Sequence, residues 1–394
     1  MTLRYASITD RLYDLGGSKW AVHNAARARA AKGEKIIELT IGEPDIPTDP
    51  DLVEECVISL RAGRTRYSNG RGEGNLIEAI IETYAPRMPD VTADHVLCFP
   101  GTQTALFAVM QALTEKGDGV LIGDPYYATY EGVVEATGAH VQPVELRMRD
   151  GFSMQPDALE AAITPQSRVL LLNTPHNPTG AVLDRATIDA LGEICIKHNL
   201  WIVSDEVYEN LTFGVEFASP LENPRLRERT VVTSSISKTF AATGFRSGWT
   251  IGPPEFSRRL LPISESMLFG NQPFIADMTE AALRGEYDTA ERMREAFHRR
   301  AQLIHDAIAE APGLSGILPE GGMFMMVDVG ATGMDGETFA WRLLEEQGIA
   351  VMPGSSFGAA AESLIRLALT VPDEVLAEAM QGILALAAIP DLVS

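Results

Sequence analysis

The stretch Ser235-Ile236-Ser237-Lys238, followed by Arg246 in Gly244-Phe245-Arg246-Ser247-Gly248, puts an amine, two hydroxyls and a guanidinium into one short turn-and-strand unit. Such a set suits the covalent capture of a phosphorylated aldehyde. A lysine condenses with a carbonyl only when partly deprotonated, and nearby positive charge, here from Arg246, lowers its pKa by disfavouring the ammonium form. The same guanidinium grips a phosphate through parallel donors, to which Ser235 and Ser237 add hydroxyls. Lys238 is then the covalent anchor and Arg246 the phosphate clamp. The alternative is a surface loop with a solvated lysine, and the segment alone leaves both open.

Other segments offer complementary chemistry. Asn173-Thr174-Pro175-His176-Asn177-Pro178-Thr179-Gly180 is a proline-punctuated turn that holds the Asn177 amide rigidly, or else an ordinary Asx turn. In Ser204-Asp205-Glu206-Val207-Tyr208 an acid leaves an apolar run, where it stays charged only beside a cation such as a protonated pyridine nitrogen. A helix N-cap is the competing role for Asp205. Pro100-Gly101-Thr102-Gln103-Thr104 joins a strand to a helix, so its free amides make an anion site to which Thr102 and Gln103 add side-chain donors, unless it is simply a helix cap. Asp124-Pro125-Tyr126-Tyr127 places aromatic rings where they can stack on a planar heterocycle. Arg366 sits in Leu364-Ile365-Arg366-Leu367-Ala368-Leu369, whose apolar flanks favour burial in a strand, and a buried arginine needs an anion. Gly70-Arg71-Gly72-Glu73-Gly74 resembles a dinucleotide fingerprint, but no strand precedes it and its third glycine is one residue early.

These segments need a scaffold that brings them together. From about residue 95 to 255, short apolar runs alternate with helical patterns, which marks βαβ units and a mostly parallel sheet. Strands are expected at 96–99, 119–122, 168–172, 200–204, 230–233 and 248–251, each ending where polar or glycine residues begin. The strand ends of open α/β sheets face a common crevice, and the segments holding Thr102, Tyr127, Asn177, Asp205 and Lys238 fall on such ends. Residues 186–198 read as a crossover helix with Ile188, Leu191, Ile194 and Cys195 on one face. A long charged helix from Thr289 to Ala309 leads through Pro312-Gly313 to a strand over 322–328. An arginine-rich helix ending near Lys32-Gly33 and a strand over 36–41 are expected to pack with that later part. The fold class is therefore α/β: a large domain over 50–288, its mostly parallel sheet sandwiched by helices, and a smaller α+β domain formed by 1–49 and 289–394.

Composition removes some functions. The chain has 394 residues, 45% of them hydrophobic, enough for a large core. A net charge of -22 argues against nucleic acid and anionic membranes as partners, since both require a basic face. Cys56, Cys98 and Cys195 form no Cys-x-x-Cys pair, so neither a disulfide framework nor a zinc site is indicated and a reducing cytoplasm fits. The start lacks a signal pattern and no apolar run reaches membrane-spanning length. The histidines show no ligand spacing, so no metal is expected.

In order and spacing, the motifs resemble a pyridoxal-5'-phosphate-dependent aminotransferase of fold type I, class I/II, in the aspartate aminotransferase superfamily. The resemblance runs from Ile41-Gly42-Glu43-Pro44-Asp45 through Tyr67 and the segments above to Pro353-Gly354-Ser355-Ser356-Phe357-Gly358 and Ile365-Arg366-Leu367. It implies that Lys238 forms the Schiff base and shuttles a proton, and that Asp205 keeps the pyridine nitrogen protonated. Asn177 and Tyr208 would hold the phenolate oxygen and Tyr127 would stack on the ring. Gly101, Thr102, Gln103, Ser235, Ser237 and Arg246 would receive the phosphate. Tyr67 matches a tyrosine that reaches the neighbouring subunit's phosphate, implying a homodimer. Arg366, Gly42 and Asn177 match the binding site of the substrate α-carboxylate.

The implied activity is a ping-pong transfer of an amino group from an L-amino acid to a 2-oxo acid. Residues 201–208, Met267-Leu268-Phe269-Gly270 and 321–328 are most similar to arginine–pyruvate transaminases, which points to arginine and pyruvate, or to aspartate-type substrates. A C–S β-lyase on the same scaffold is a second reading. A non-catalytic effector-binding domain is a third, but it needs a DNA-binding module, and no basic N-terminal segment is seen.

Overall fold

The computed structural model describes residues 3–268 and 270–388. Residues 1–2, Phe269 of the Met267–Gly270 stretch, and 389–394, the last part of the expected segment 289–394, lie outside the described residues.

A seven-stranded sheet forms the centre. Its strands are β2 (Val96–Phe99), β3 (Gly119–Asp124), β4 (His140–Glu145), β5 (Ser167–Asn173), β6 (Trp201–Asp205), β7 (Thr230–Ser235) and β8 (Gly248–Ile251); β1 is a two-residue strand, Ile37–Glu38. The spatial order is β2-β8-β7-β6-β5-β3-β4. All neighbours are parallel except β8, which runs antiparallel to both β2 and β7. The apolar runs read as strands because both faces are covered. In β5, Leu170 and Leu172 join one core cluster while Val169 and Leu171 join another on the opposite face. The crossover helix is Arg185–Lys197, capped by the Asp184 side chain, which accepts from the Thr187 amide.

The strand His140–Glu145 was absent from the sequence reading. It is an edge strand with exposed His140, Pro143 and Glu145, so its apolar signal is thin, and proline is tolerated where a strand has no outer neighbour.

A second sheet of three antiparallel strands holds β9 (Phe324–Asp328), β11 (Met352–Pro353) and β12 (Leu364–Ala368), with β12 in the middle. The remaining strand, β10 (Ile349–Ala350), pairs in parallel with β1. The expected strand 36–41 is thus only two residues long, because β10 offers only two residues to pair with. Val22, Ala26, Ile37 and Leu39 share a core cluster with Phe297, Ile304, Leu343 and Ile365. The charged helix spans Thr289–Ala309, as the pattern indicated.

Candidate active site

The C-terminal ends of β5, β6 and β7 open into a cavity of about 360 Å³, faced from the other side by Ile41, Gly42, Phe324 and Arg366. Its lining brings together Gly42, Thr102, Gln103, Tyr127, Asn177, Asp205, Tyr208, Ser235, Ser237, Lys238, Arg246 and Arg366. Gly101, the residue before Thr102, is not part of the lining. Tyr67 does not line it and is 91% exposed.

Lys238 lies on the short helix Ile236–Thr239, and its Nζ donates to the Gly42 carbonyl at 2.6 Å. Its pKa is lowered to about 8. Burial is the main cause, and the charges of Arg246 and Arg366 push the same way, while Glu43 and Asp205 oppose. The sequence reading credited Arg246; loss of water around the amine outweighs it.

At one end of the cavity, the helix Thr102–Leu113 begins after Gly101, whose φ of +85° is a conformation that glycine adopts without strain. A Cβ on Gly101 would also collide with the Arg246 guanidinium. Arg246 Nη1 donates to the Thr243 carbonyl at 2.8 Å. First-turn amides of a helix have no intrahelical acceptor. The buried Thr102 hydroxyl has no hydrogen-bond partner. The Ser235 hydroxyl accepts from the Ser237 amide at 3.3 Å, so it caps the lysine helix as well. Gln103 is exposed, and its Oε1 accepts from Thr129 at 3.0 Å. Orphaned amides, a hydroxyl without a partner and a guanidinium together fit a phosphate.

At the opposite end, Asp205 is buried at the tip of β6, and its pKa rises to about 6 because burial outweighs the hydrogen bonds it receives. Tyr130 Oη donates to its Oδ2 at 2.7 Å and the Val207 amide to its Oδ1 at 3.3 Å. A buried carboxylate so placed gains most from a cationic ring nitrogen. Tyr130 was missed by the sequence reading; the signal available was its place one helical turn after Tyr127, against which it packs edge-on with ring centroids 5.4 Å apart.

Arg366 projects from β12, 2% exposed. Its Nη1 donates to Asn177 Oδ1 at 3.0 Å and its Nη2 to the Thr40 carbonyl at 2.5 Å, while Nε has no partner. The guanidinium lies between the rings of Phe324 and Phe357, 3.9 and 4.4 Å from their centroids. Among the described residues no carboxylate pairs with it, and burial pulls its pKa down to about 9. Asn177 is fixed by its own amide, which donates to Asn173 Oδ1 at 2.8 Å. It also hydrogen-bonds the buried Tyr208, whose pKa burial pushes well above the ordinary range. A Cβ on Gly42 would collide with the Phe324 ring. Phe324 and Phe357 had no role in the sequence reading, since a phenylalanine in a strand or turn carries no mark of the cation it will sandwich.

Residues 34–383 match the family described as aminotransferase class I and II. The chain is 42% identical over 382 residues to an arginine–pyruvate transaminase of Pseudomonas aeruginosa, covering 97% of each chain. It is 36% identical to an aspartate/prephenate aminotransferase of Cereibacter sphaeroides, covering 93% of this chain and 95% of the other. Among solved structures, an aspartate aminotransferase of Thermus thermophilus with maleate superposes with a TM-score of 0.91 at 31% identity, over 98% of this chain and 100% of the other.

Proposed function

The chain belongs to the class I and II aminotransferases and is a transaminase acting on an amino acid and a 2-oxo acid; from this premise we propose that the cavity holds pyridoxal 5'-phosphate, with arginine as amino donor and pyruvate as acceptor. The observation that carries the reading is the pairing, across one cavity, of a lysine with a lowered pKa and a buried arginine without an anion. The first suits carbonyl chemistry and the second an α-carboxylate.

Gly101, Thr102, Gln103, Ser235, Ser237 and Arg246 are the groups for the phosphate, Asp205 for the ring nitrogen, Asn177 and Tyr208 for the phenolate oxygen, and Tyr127 for the ring face. When bound, the cofactor supplies an electron sink for negative charge developing at Cα. Arg366, backed by Asn177 and flanked by Gly42, orients the amino acid by its carboxylate, which fixes the direction of its Cα–H bond. With the cofactor bound, Lys238 Nζ would take the proton from Cα and give it up at the cofactor's C4' rather than back at Cα. Tyr130 holds the Asp205 carboxylate in one orientation. Phe324 and Phe357 exclude water from the Arg366 ion pair, which strengthens it.

The proposal includes a homodimer, with Tyr67 reaching the partner's phosphate site, a domain division at 1–49, 50–288 and 289–394, and a cytoplasmic location. The choice of arginine rests on the higher identity to the arginine–pyruvate transaminase than to the aspartate/prephenate enzyme. Aspartate is the second donor to screen.

Mixing the loaded enzyme with arginine alone, without acceptor, should release one equivalent of 2-oxo acid per site. Pyruvate and ammonia released from a β-substituted amino acid, with no such half-reaction, would establish the lyase instead. Lys238→Ala should abolish turnover while retaining bound cofactor, and Arg246→Ala should chiefly weaken cofactor binding. Full turnover in the lysine variant would refute the assignment of Lys238.

A further inference from the structure

We propose that Arg300, which does not line the cavity, is a positioning residue that holds the substrate-carboxylate corner together by tying the Gly42 loop to the end of β12. The inference rests on the reading of Arg366 and Gly42 given above.

Arg300 is 6% exposed on the helix Thr289–Ala309, and all three of its nitrogens are engaged. Nη2 meets Asp45 Oδ2 at 2.8 Å, Nε donates to Asp373 Oδ1 at 2.9 Å and Nη1 to the Leu369 carbonyl at 2.9 Å. Asp45 stands three residues after Gly42, and Leu369 three residues after Arg366. One planar, always-charged group therefore bridges the two segments whose other ends form the corner. The two segments are also stitched just before Gly42, by the Ala368 amide donating to the Leu39 carbonyl at 3.0 Å and by Thr370 Oγ1 donating to the Ile41 carbonyl at 3.1 Å.

Beyond Ile41 the segment has no regular structure until the helix at Pro50. On its lysine side it is held by Thr243 Oγ1 donating to Glu43 at 2.9 Å and by Thr48 Oγ1 donating to the Ala241 carbonyl at 2.6 Å. Arg300 supplies the opposing tie, on the Arg366 side. Gly42 lies between the two sets of ties, its carbonyl on Lys238 and its α-carbon against Phe324. Without the Asp45 tie the Arg366 side keeps only its bonds at Leu39, Thr40 and Ile41, all before Gly42, so the stretch after Gly42 is held from the lysine side alone and Gly42 is less firmly set against Arg366. A merely structural Arg300 would instead affect stability without touching substrate affinity.

The asymmetry of its partners supplies the test: Asp45 connects Arg300 to the corner, whereas Asp373 connects it to the first turn of the C-terminal helix Asp373–Ala387. Kinetics with arginine and pyruvate, and with aspartate and 2-oxoglutarate, are measured for Asp45→Asn, Arg300→Gln, Asp373→Asn and Arg366→Gln. Thermal unfolding is followed alongside, as is the binding of an α-methyl amino acid, which has no Cα proton to lose. Asp45→Asn and Arg300→Gln should raise KM for donor and acceptor roughly tenfold with kcat within about threefold, and weaken the α-methyl ligand by the same factor. Asp373→Asn should lower the melting temperature but leave KM within about twofold.

Unchanged KM in Asp45→Asn, or an equal rise in Asp373→Asn, overturns the proposal. Asp45→Asn carries the test if Arg300→Gln does not fold, because it leaves the bonds to Asp373 and Leu369 in place. An Arg366→Gln variant with normal KM would instead remove the reading beneath it. A large Arg366 effect beside a silent Asp45→Asn would refute the present proposal alone.

Discussion

Arg300 and Arg366 are both buried guanidinium groups, 6% and 2% exposed, bonded to Asp45 and Thr40 of the same stretch of chain, yet their surroundings are opposite. Arg300 is saturated by Asp45, Asp373 and a carbonyl. Arg366 has an amide oxygen, a carbonyl, two aromatic faces and a nitrogen with no acceptor. A buried charge without a counterion is costly, and such a site is retained where a ligand completes it. The same division separates a second pair. Lys238 sits in the cavity with a carbonyl for a partner, whereas Arg64, outside it, is clamped by Asp277 and Glu73. Arg300 and Arg64 carry their anions with them, whereas among the described residues no carboxylate bonds Lys238 or Arg366.

The largest effect expected from this contrast is in Arg366→Gln. Steady-state kinetics should show kcat/KM for the amino donor falling about 1,000-fold, roughly 4 kcal/mol. Its melting temperature should hold or rise, because an uncompensated buried charge is removed. A fall in stability like that of Arg300→Gln would break the comparison. That second variant should lose about 3 kcal/mol in urea unfolding, since two carboxylates lose their shared cation.

Lys238 sharpens the contrast through pH. With its folded pKa lowered to about 8 from 10.5, the unfolded chain binds more protons between those values, so this group's contribution to stability rises with pH across that window. Below it both states are protonated and the full burial penalty is present. In cofactor-free protein, Lys238→Met should flatten the rise between pH 8 and 10.5 by about 3 kcal/mol. An unchanged slope would mean the amine is better solvated than its cavity indicates. The smallest effect should be in Arg64→Met, about 1 kcal/mol and less in 1 M salt, because this guanidinium is partly exposed and its ion pairs are screened.

Much of the molecule was legible before folding, and the reasons differ by element. Strands β2, β3, β5, β6, β7 and β8 stood out because burial on both faces requires unbroken apolar runs. The edge strand His140–Glu145 was hidden because its outer positions face water. Twelve of the sequence-derived site residues line the cavity because each lies where a strand ends or a helix begins, or, for Gly42 and Arg366, where the smaller sheet faces it. Tyr130 opens a helix three residues after Tyr127, but like Phe324 and Phe357 it is a buried aromatic ring, which in isolation reads only as core.

The amino-acid sequence by itself determined the reactive inventory and the local order that displays it: a lysine flanked by serines, an acid leaving an apolar strand, a glycine before a helix, an arginine between apolar residues. Those properties belong to residue type and to near neighbours along the chain. The tertiary structure decided what each group is worth. The hydrogen bond from Arg366 to Asn177 joins residues 189 apart, that from Tyr130 to Asp205 residues 75 apart, and that from Lys238 to Gly42 residues 196 apart. Desolvation and hydrogen bonding depend on neighbours in space, so only the folded chain lowers the lysine, raises the aspartate and leaves one buried arginine without an anion.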